Sequence, residues 1–197
     1  MIGYLKGNIL DKKPTKVLID VKGVGYLVNI SLNTFDKLPD TGNEISLYTY
    51  LSVREDALDL FGFINPEEKE MFLLLISVNG IGAKLALNIL SGIQIYELRE
   101  ALKTGNLSRI IAVPGVGRKT GERMIVELRD KVDSLAESLD SYTTGSASSV
   151  KSDAVGALTS LGYNQKTAEK AVSQVLTGNS SATIEDAIRL ALGLLNK

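Results

Sequence analysis

A nine-residue phrase occurs twice in this chain, 35 residues apart, and it limits the possible folds more than any other feature. Residues 78–86 read VNGIGAKLA and residues 113–121 read VPGVGRKTG. In each copy an apolar residue leads into Gly-x-Gly, a basic residue follows, and an amphipathic helical run begins. Glycine at such a corner permits positive φ and lets another backbone approach closely. The repeat therefore predicts two equivalent turns, each followed by a helix.

Turns of this kind are suited to binding phosphate. The first amides of a helix have no intrahelical partner and carry the positive end of the helix dipole, so they attract anions. Lys84, Arg118 and Lys119 add formal positive charge beside those amides. Two such sites in one small domain suit two phosphates of a polynucleotide better than one small ligand.

Other interpretations of the Gly-x-Gly pairs remain open at this point. A dinucleotide site requires a third glycine where Leu85 and Thr120 stand, and it requires a βαβ unit, which the surrounding helical sequence does not supply. The Gly-Arg-Lys-Thr stretch at 117–120 resembles a P-loop, but Arg118 interrupts the Gly-Lys pair and the earlier glycine is missing. Each pair could also merely end one helix and begin the next. The duplication favours phosphate binding, and no ATP site is expected.

The composition excludes many enzyme classes. The 197 residues include no histidine and no cysteine, which removes Ser-His-Asp and Cys-His catalysis, disulfides and thiolate metal sites. Two adjacent carboxylate pairs, at 67–68 and 185–186, are explained as charges at helix N-termini. No acidic set has the spacing of a metal nuclease. We therefore predict no catalytic residues, no metal and no cofactor.

The apolar stretch at 71–76 is too short to cross a bilayer, and no segment is typical of a signal peptide, so a cytoplasmic protein without a membrane partner is expected. Net charge is −1, which does not suit a protein that coats nucleic acid through bulk electrostatics. Charge is nevertheless patterned. Residues 78–131 contain nine Lys and Arg against five Asp and Glu, whereas residues 1–63 contain seven against eight.

The first third of the chain is typical of β structure. Five short runs rich in β-branched and aromatic residues, separated by turn signals, lie at 2–10, 16–21, 26–31, 44–51 and 58–63. The glycines at 23 and 25 indicate a bend between the second and third runs. Five antiparallel strands in about sixty residues predict a small closed barrel of the OB type over residues 1–63.

The rest of the chain has helical periodicity. Pro66 begins a pattern that predicts five or six short helices over 66–138, and the tandem helix-hairpin-helix domain is placed at 64–138. Residues 139–152 are rich in Ser, Thr and Gly, which predicts a flexible linker. Three helices at 153–161, 165–176 and 183–196 then form a small (UBA-like) three-helix domain at 153–197, suited to holding a partner. The fold class is α+β and multidomain.

Two further groups of residues remain ambiguous from sequence alone. The Arg-Glu-Asp cluster at 54–56 lies between the fourth and fifth strands and is either a solvated turn or an acidic projection that repels phosphate; the residues alone favour the solvated turn. Leu158, Leu161 and Tyr163 of the last domain are either core residues or an exposed contact surface, and core is favoured for most of them.

Taken together, these motifs resemble the RuvA family of DNA-binding subunits along the whole chain. The matching segments are the opening MIG, GVGY at 23–26, VREDA at 53–57, LFGF at 60–63, NGIG at 79–82, KLA at 84–86, LSG at 90–92, PGVGRKT at 114–120 and LGY at 161–163. The resemblance implies a homotetramer, alone or as two tetramers in an octamer, that holds a four-way (Holliday) DNA junction open and square. It also implies phosphate contacts from Gly80, Gly82, Lys84, Gly115, Gly117, Arg118 and Lys119.

The resemblance also implies partners and a role for the acidic cluster. It places an acidic pin at Glu55 and Asp56, at the centre of the junction. It makes the last domain, with Leu158, Leu161 and Tyr163, the binding site for the hexameric RuvB ATPase, and it adds the RuvC junction resolvase as a partner in recombination, repair and the SOS response. The chain departs from the family pattern in its short linker and in Arg118, where lysine is frequent. A subunit of a structure-specific repair nuclease and a protein-binding adaptor are the alternatives.

Overall fold

In a computed structural model of the chain, the described residues are 1–132, 147–179 and 182–195. The chain divides into two compact units, Met1–Leu135 and Ala136–Lys197. The first unit contains the barrel and the helical region together, and the described residues of the second form three helices. Most of the linker predicted at 139–152, and the end of the helical domain predicted to reach 138, lie outside the described residues. The predicted domain boundaries stay predictions.

Five strands close into a barrel at the start of the chain. They are β1 (Tyr4–Lys13), β2 (Lys16–Val21), β3 (Val24–Ile30), β4 (Glu44–Val53) and β5 (Leu58–Phe63). Their order around the barrel is β1-β2-β3-β5-β4, which confirms the five-stranded OB-type barrel. The prediction of purely antiparallel pairing is wrong, because β3 and β5 pair in parallel. An odd number of strands in a closed ring cannot alternate direction at every step.

The barrel differs from the sequence prediction at two further points. Lys22 and Gly23 have φ of 52° and 90° and form the two-residue turn between β2 and β3, whereas Gly25 lies within β3. A short helix, α1 (Leu32–Phe35), joins β3 to β4 and is capped by the side chain of Ser31. Four residues are too few to show helical periodicity, so the sequence did not indicate this helix.

The barrel is filled by the inward-facing residues of its strands, with one leucine from the loop before β4. These buried residues are Leu5, Ile9, Val17, Ile19, Val28, Ile30, Leu38, Leu47 and Leu60. On the surface, a hydrogen bond and the negative charge of Glu44 raise the pKa of Lys6 above its ordinary value. The ammonium group of Lys6 is therefore charged at neutral pH.

Between residues 64 and 128 of the first unit, five helices follow the barrel. They are α2 (Pro66–Ser77), α3 (Ala83–Gly92), α4 (Ile95–Thr104), α5 (Leu107–Ile111) and α6 (Arg118–Leu128). The predicted start at Pro66 is confirmed, and the side chain of Asn65 accepts a hydrogen bond from the amide of Glu68 as its cap. Gly105, with φ of 71°, ends α4 as a left-handed C-cap.

Helix α2 fixes the barrel to the helical region. The carboxylate of Glu68 is buried and accepts hydrogen bonds from the hydroxyls of Ser31 and Thr34 and from the amide of Ile64. One turn further on, the ring of Phe72 packs against that of Phe63 at a centroid distance of 4.8 Å. Because the carboxylate is buried and satisfied, loss of either hydroxyl would leave it short of a partner. The barrel therefore holds a defined orientation relative to the helices.

The described residues of the second unit form α7 (Ala147–Ser160), α8 (Gln165–Gly178) and α9 (Ile184–Leu195). Helix α7 begins six residues before the helix start predicted at 153, so residues 147–152, which the sequence assigned to the linker, are helical. Val150 explains the difference, because it packs against the same core as Ala154 and Leu158 at helical spacing. Helix α9 is capped at its start, since the hydroxyl of Thr183 accepts a hydrogen bond from the amide of Asp186 at 3.2 Å.

Candidate nucleic-acid interface

The first glycine hairpin joins α2 to α3. Val78 and Ile81 are buried, and the amide of Ile81 donates to the carbonyl of Val78 at 3.0 Å. Gly80 lies between them with φ of 94°, a conformation that a side chain would strain. The two apolar side chains anchor the loop, so Asn79, Gly80 and the backbone at Gly82 are left exposed.

The second hairpin, between α5 and α6, repeats this geometry. Val113 and Val116 are buried and joined by a hydrogen bond of 3.1 Å, and Gly115 between them has φ of 91°. The glycine before each helix is also equivalent: φ and ψ are −87° and 170° at Gly82, and −79° and 163° at Gly117. The repeat of sequence is thus a repeat of backbone conformation, and the two predicted turns are confirmed.

Both hairpin helices begin without a side-chain cap. Gly82 and Gly117 are the N-cap residues of α3 and α6, and neither supplies an acceptor to the first amides. Side chains cap other helices of the same chain: Ser31 caps α1, Asn65 caps α2, Asn106 caps α5 and Asn164 caps α8. Helix α4, which follows Gln94, also lacks a side-chain cap. The amides at 83–85 and 118–120 are therefore available to an external acceptor such as a phosphate oxygen.

The space in front of the two helices is open. A Cβ atom built on Gly82 or Gly117 has no heavy atom within 4 Å, and both residues have φ values that any residue can adopt. These glycines are therefore not required by the packing of this chain alone. Their small size matters only if something outside the chain comes close to the backbone.

Lysines occupy the same position in both hairpins. Lys84 and Lys119 are the second residues of α3 and α6, and both are exposed. Within the described part of the chain, neither ammonium group has an ion-pair or hydrogen-bond partner. Arg118 differs, because its Nε donates to Glu122 Oε1 at 2.9 Å across one helical turn. Exposed pairs of this kind contribute only about 0.3–0.5 kcal/mol, so a phosphate can replace Glu122 as the partner.

The two hairpins contact each other. The Nη1 of Arg123, on α6, donates to the carbonyl of Asn79 in the first turn at 2.7 Å. In the other direction, a Cβ on Gly115 would lie 3.1 Å from Leu85 Cδ1 on α3. These contacts hold the two uncapped helix starts at a fixed separation. The sequence did not indicate Arg123, because its partner is a main-chain carbonyl 44 residues away.

The acidic cluster forms the tip of the β4–β5 hairpin. Glu55 and Asp56 are the two exposed turn residues, and the turn is closed by a hydrogen bond of 2.8 Å from the amide of Arg54 to the carbonyl of Ala57. The guanidinium of Arg54 donates to Asp59 at 2.5 Å and so does not neutralise the tip. Within the described residues, the carboxylates of Glu55 and Asp56 make no ion pair. The turn thus projects two uncompensated negative charges.

The three candidate residues of the second unit lie in different environments. Leu158 is completely buried in the core between the three helices, so it cannot present a contact surface, and its assignment to one is corrected here. Tyr163 is half-buried and packs against the same core. Leu161 is 63% exposed in the turn that Gly162, with φ of 96°, completes. Of the three, Leu161 is the residue that an external partner can reach most fully.

Neither a metal-binding cluster nor a membrane-spanning helix is found among the described residues. No group of three or more His, Cys, Asp or Glu side chains among them is placed to hold a metal ion. None of the helices in these ranges is long and apolar enough to cross a membrane.

A closed OB-type barrel followed by paired glycine hairpins defines a tandem helix-hairpin-helix protein, extended here by a three-helix unit. Family models agree with that order: "RuvA N terminal domain" matches residues 1–62, "SAM-like Helix-hairpin-helix tandem" matches 72–130, and "RuvA, C-terminal domain" matches 149–196. The chain belongs to the RuvA family.

Relatives from several bacteria are similar over the full length of the chain. A protein of Chloroherpeton thalassium is 45% identical, covering 98% of each chain. One from Chlorobium phaeobacteroides strain BS1 is 42% identical over 98% of this chain and 97% of its own, and one from Nitrosomonas europaea is 42% identical over 100% and 99%. Each is named Holliday junction branch migration complex subunit RuvA.

Proposed function

We propose that this chain is the DNA-binding subunit of a Holliday junction branch migration complex in the bacterial cytoplasm. It binds four-way junctions without regard to base sequence, hydrolyses no ATP itself, and recruits the hexameric RuvB ATPase. One observation carries the proposal: two hairpins of equal backbone conformation, with uncapped helix starts, lie in a chain that matches the RuvA family in every region of its fold.

The hairpins bind the phosphate backbone in this proposal. The amides at 83–85 and 118–120 donate to phosphate oxygens, the glycines let the backbone approach, and the basic side chains add charge. The assigned residues are Gly80, Gly82, Lys84, Gly115, Gly117, Arg118 and Lys119. Contacts to phosphates position a protein on DNA but carry no base information. Binding is therefore expected to be independent of sequence.

Selectivity for a junction comes from multivalency. One copy holds one pair of hairpins, which suits one DNA arm, and a homotetramer holds four pairs. Linked sites act at a high effective concentration, and avidity of this kind can exceed single-site affinity by about 10²–10⁴. Only a substrate with four suitably placed arms engages all four pairs. Light scattering of the protein with and without junction DNA distinguishes one tetramer from two.

Glu55 and Asp56 form the acidic pin at the centre of the junction in this proposal. Like charges about 4 Å apart repel by about 1 kcal/mol in water and by more where water is excluded. The tip therefore disfavours a duplex lying across the centre and favours separated strands. The double variant Glu55→Gln, Asp56→Asn should still bind junctions but lose selectivity over duplex and change the rate of RuvB-driven migration. Unchanged selectivity together with an unchanged rate would refute the pin.

The second unit binds RuvB in this proposal, through a surface that includes Leu161. Leu161→Asp should abolish RuvB-driven branch migration while junction binding by the same variant stays at the wild-type level. Thr159→Asp, an exposed position in the last turn of the preceding helix, is the matched charge control. Equal effects of both substitutions would place the contact elsewhere. The RuvC resolvase is a further expected partner, which co-purification on junction DNA tests directly.

The deciding experiment is a gel-shift competition between a four-way junction and linear duplex of the same sequences at moderate salt. We expect the junction to bind at least about 10²-fold more tightly, as multivalent engagement requires. Equal weak binding to both substrates would reject the proposal. Magnesium-dependent strand cleavage by the pure protein would instead support a nuclease subunit, and absence of DNA binding by the intact protein would support an adaptor.

A further inference from the structure

Two large apolar side chains lie exposed at the base of the acidic turn. Val53 and Leu58 are 68% and 71% exposed, and they form the cross-strand pair of β4 and β5 that lies nearest the turn. Arg54 and Ala57 exchange backbone hydrogen bonds, so the adjacent pair, Val53 with Leu58, is of the non-hydrogen-bonded kind. In such pairs the Cα atoms approach to about 4.5 Å and the side chains lie close together. Val53 and Leu58 therefore form one patch, which we call the apolar ledge.

The apolar ledge continues the interior face of the barrel. Side chains alternate along a strand, so a cross-strand pair shares its face with the pair two residues away. Val53 and Leu58 therefore lie on the same face as Leu51 and Leu60. Leu60 is only 6% exposed and belongs to the barrel core. The strand pair therefore carries its core-facing pattern beyond the core, to a place where nothing described in the first unit covers it.

We propose that the apolar ledge packs against a nucleobase at the crossover of a bound junction. The inference rests on the proposed function, and it adds a second contact at the pin. The carboxylates of Glu55 and Asp56, directly beyond the apolar ledge, repel phosphate but not the uncharged face of a base. A strand that reaches this hairpin therefore presents a base to Val53 and Leu58 and turns its phosphates away. Removing apolar surface of both partners from water favours that contact.

The charges of the tip disfavour the main alternative occupant, a second copy of the chain. If two copies packed ledge against ledge, the acidic turn that adjoins each one would be brought beside its counterpart. Four carboxylates would then lie side by side with no DNA between them, unlike the acidic turns around a junction centre, and without compensating cations, because each Arg54 is held by Asp59. An uncharged planar group avoids that repulsion. DNA bases at an opened crossover are such groups.

The test uses the full-length protein and a four-way junction with 2-aminopurine at the crossover, a base analogue whose fluorescence rises when it leaves the stack. Binding of the wild type should raise the fluorescence and protect the base from acrylamide quenching. The variant Val53→Thr, Leu58→Gln should bind the junction within about twofold of wild type, because the phosphate contacts are intact, but should lose the protection. Leu27→Gln, at another exposed leucine of the barrel, is the control and should keep it.

Three results would overturn the inference. The first is wild-type protection in the double variant, and the second is no protection by the wild type on a junction that it binds. The third is a changed oligomeric state of the double variant, which would make the apolar ledge a contact between copies. A wild type that fails to distinguish junction from duplex is a separate outcome, since it rejects the proposed function whatever the quenching shows.

Discussion

The two glycine hairpins have the same backbone but different surroundings. Gly80 and Gly115 differ by 3° in φ, at 94° and 91°. A Cβ on Gly80 would lie 3.8 Å from Arg123 Nη1, an ordinary contact, whereas a Cβ on Gly115 would lie 3.1 Å from Leu85 Cδ1. The first helical residue also differs, alanine in α3 and Arg118 in α6. The repeated motif thus sets the conformation of both turns, while neighbours that are not repeated set how much change each tolerates.

The largest expected difference between the hairpins is in stability. Gly80→Ala and Gly115→Ala should both destabilise, because a side chain at positive φ costs about 1–3 kcal/mol. Gly115→Ala should cost about 1 kcal/mol more, since its Cβ would crowd Leu85. Urea unfolding of both variants measures the difference. Equal losses would show that the two environments are equivalent after all. Alanine is used because the larger side chain of valine would add strain at either position. Weaker DNA binding by a valine variant would then not by itself prove that the side chain had blocked the approach of DNA.

The second comparison separates helix capping from phosphate binding at Gly82 and Gly117. Serine at an N-cap places its hydroxyl on the first amides and differs from glycine in helix stability by only a few tenths of a kcal/mol. We expect Gly82→Ser and Gly117→Ser to keep stability yet bind junctions about tenfold more weakly each, because the amides are occupied.

Alanine at the same two positions is the control for that comparison. It should lower junction affinity through its Cβ alone, and it should also lower stability by up to about 1 kcal/mol relative to serine. Thermal melts and gel shifts on the same preparations give both quantities. Wild-type junction affinity in the serine variants would contradict phosphate binding by these amides.

The third comparison concerns the two equivalent lysines. Lys84→Gln and Lys119→Gln should each weaken binding uniformly across DNA sequences. Each should also reduce the slope of log affinity against log salt by about 1 per subunit, because one fewer phosphate is neutralised on binding. Lys151→Gln, an exposed lysine of α7, should leave the slope unchanged. If Lys84→Gln and Lys119→Gln reduce the slope by different amounts, only one hairpin holds its phosphate closely.

The smallest expected effect exists only in the second hairpin. Glu122 holds Arg118, whereas the position 35 residues earlier is the buried Leu87. Glu122→Gln should release Arg118 and raise junction affinity about twofold, the equivalent of the 0.3–0.5 kcal/mol of an exposed ion pair. The gain should shrink at high salt, where such pairs are screened. Titrations at two salt concentrations measure it, and a fall in affinity would mean that Glu122 itself supports the bound state.

Local features of the fold were predictable because their signals lie within a few residues. Gly80 and Gly115 mark turns since only glycine adopts their φ at low cost, and Asn65 with Pro66 marks a helix start. The start of α7 was missed because polar residues surround Val150, which packs against the core. Leu158 was left ambiguous for a similar reason, since a leucine at helical spacing is compatible with a core or with a surface.

Features that depend on distant residues were not predictable. The parallel pairing of β3 with β5 follows from closing the ring, the carbonyl partner of Arg123 lies in the other hairpin, and Glu68 finds its hydroxyl donors at Ser31 and Thr34, beside and within α1. In each case the energy comes from an interaction that the chain makes only after folding. The exposure of Val53 and Leu58 belongs here too, because strand alternation alone would place them in the core.

The sequence by itself determined the order of the domains, the two turns and the uncapped helix starts, because glycine, proline and charged residues act on the backbone beside them. It also determined the membership in the RuvA family, because the matching segments run along the whole chain. Only the tertiary structure decided how the two hairpins are held together, that Arg54 leaves the acidic tip uncompensated, and that the core-facing pattern of β4 and β5 extends past the core. Those properties arise where separate segments meet, and the local sequence does not record which segments will do so.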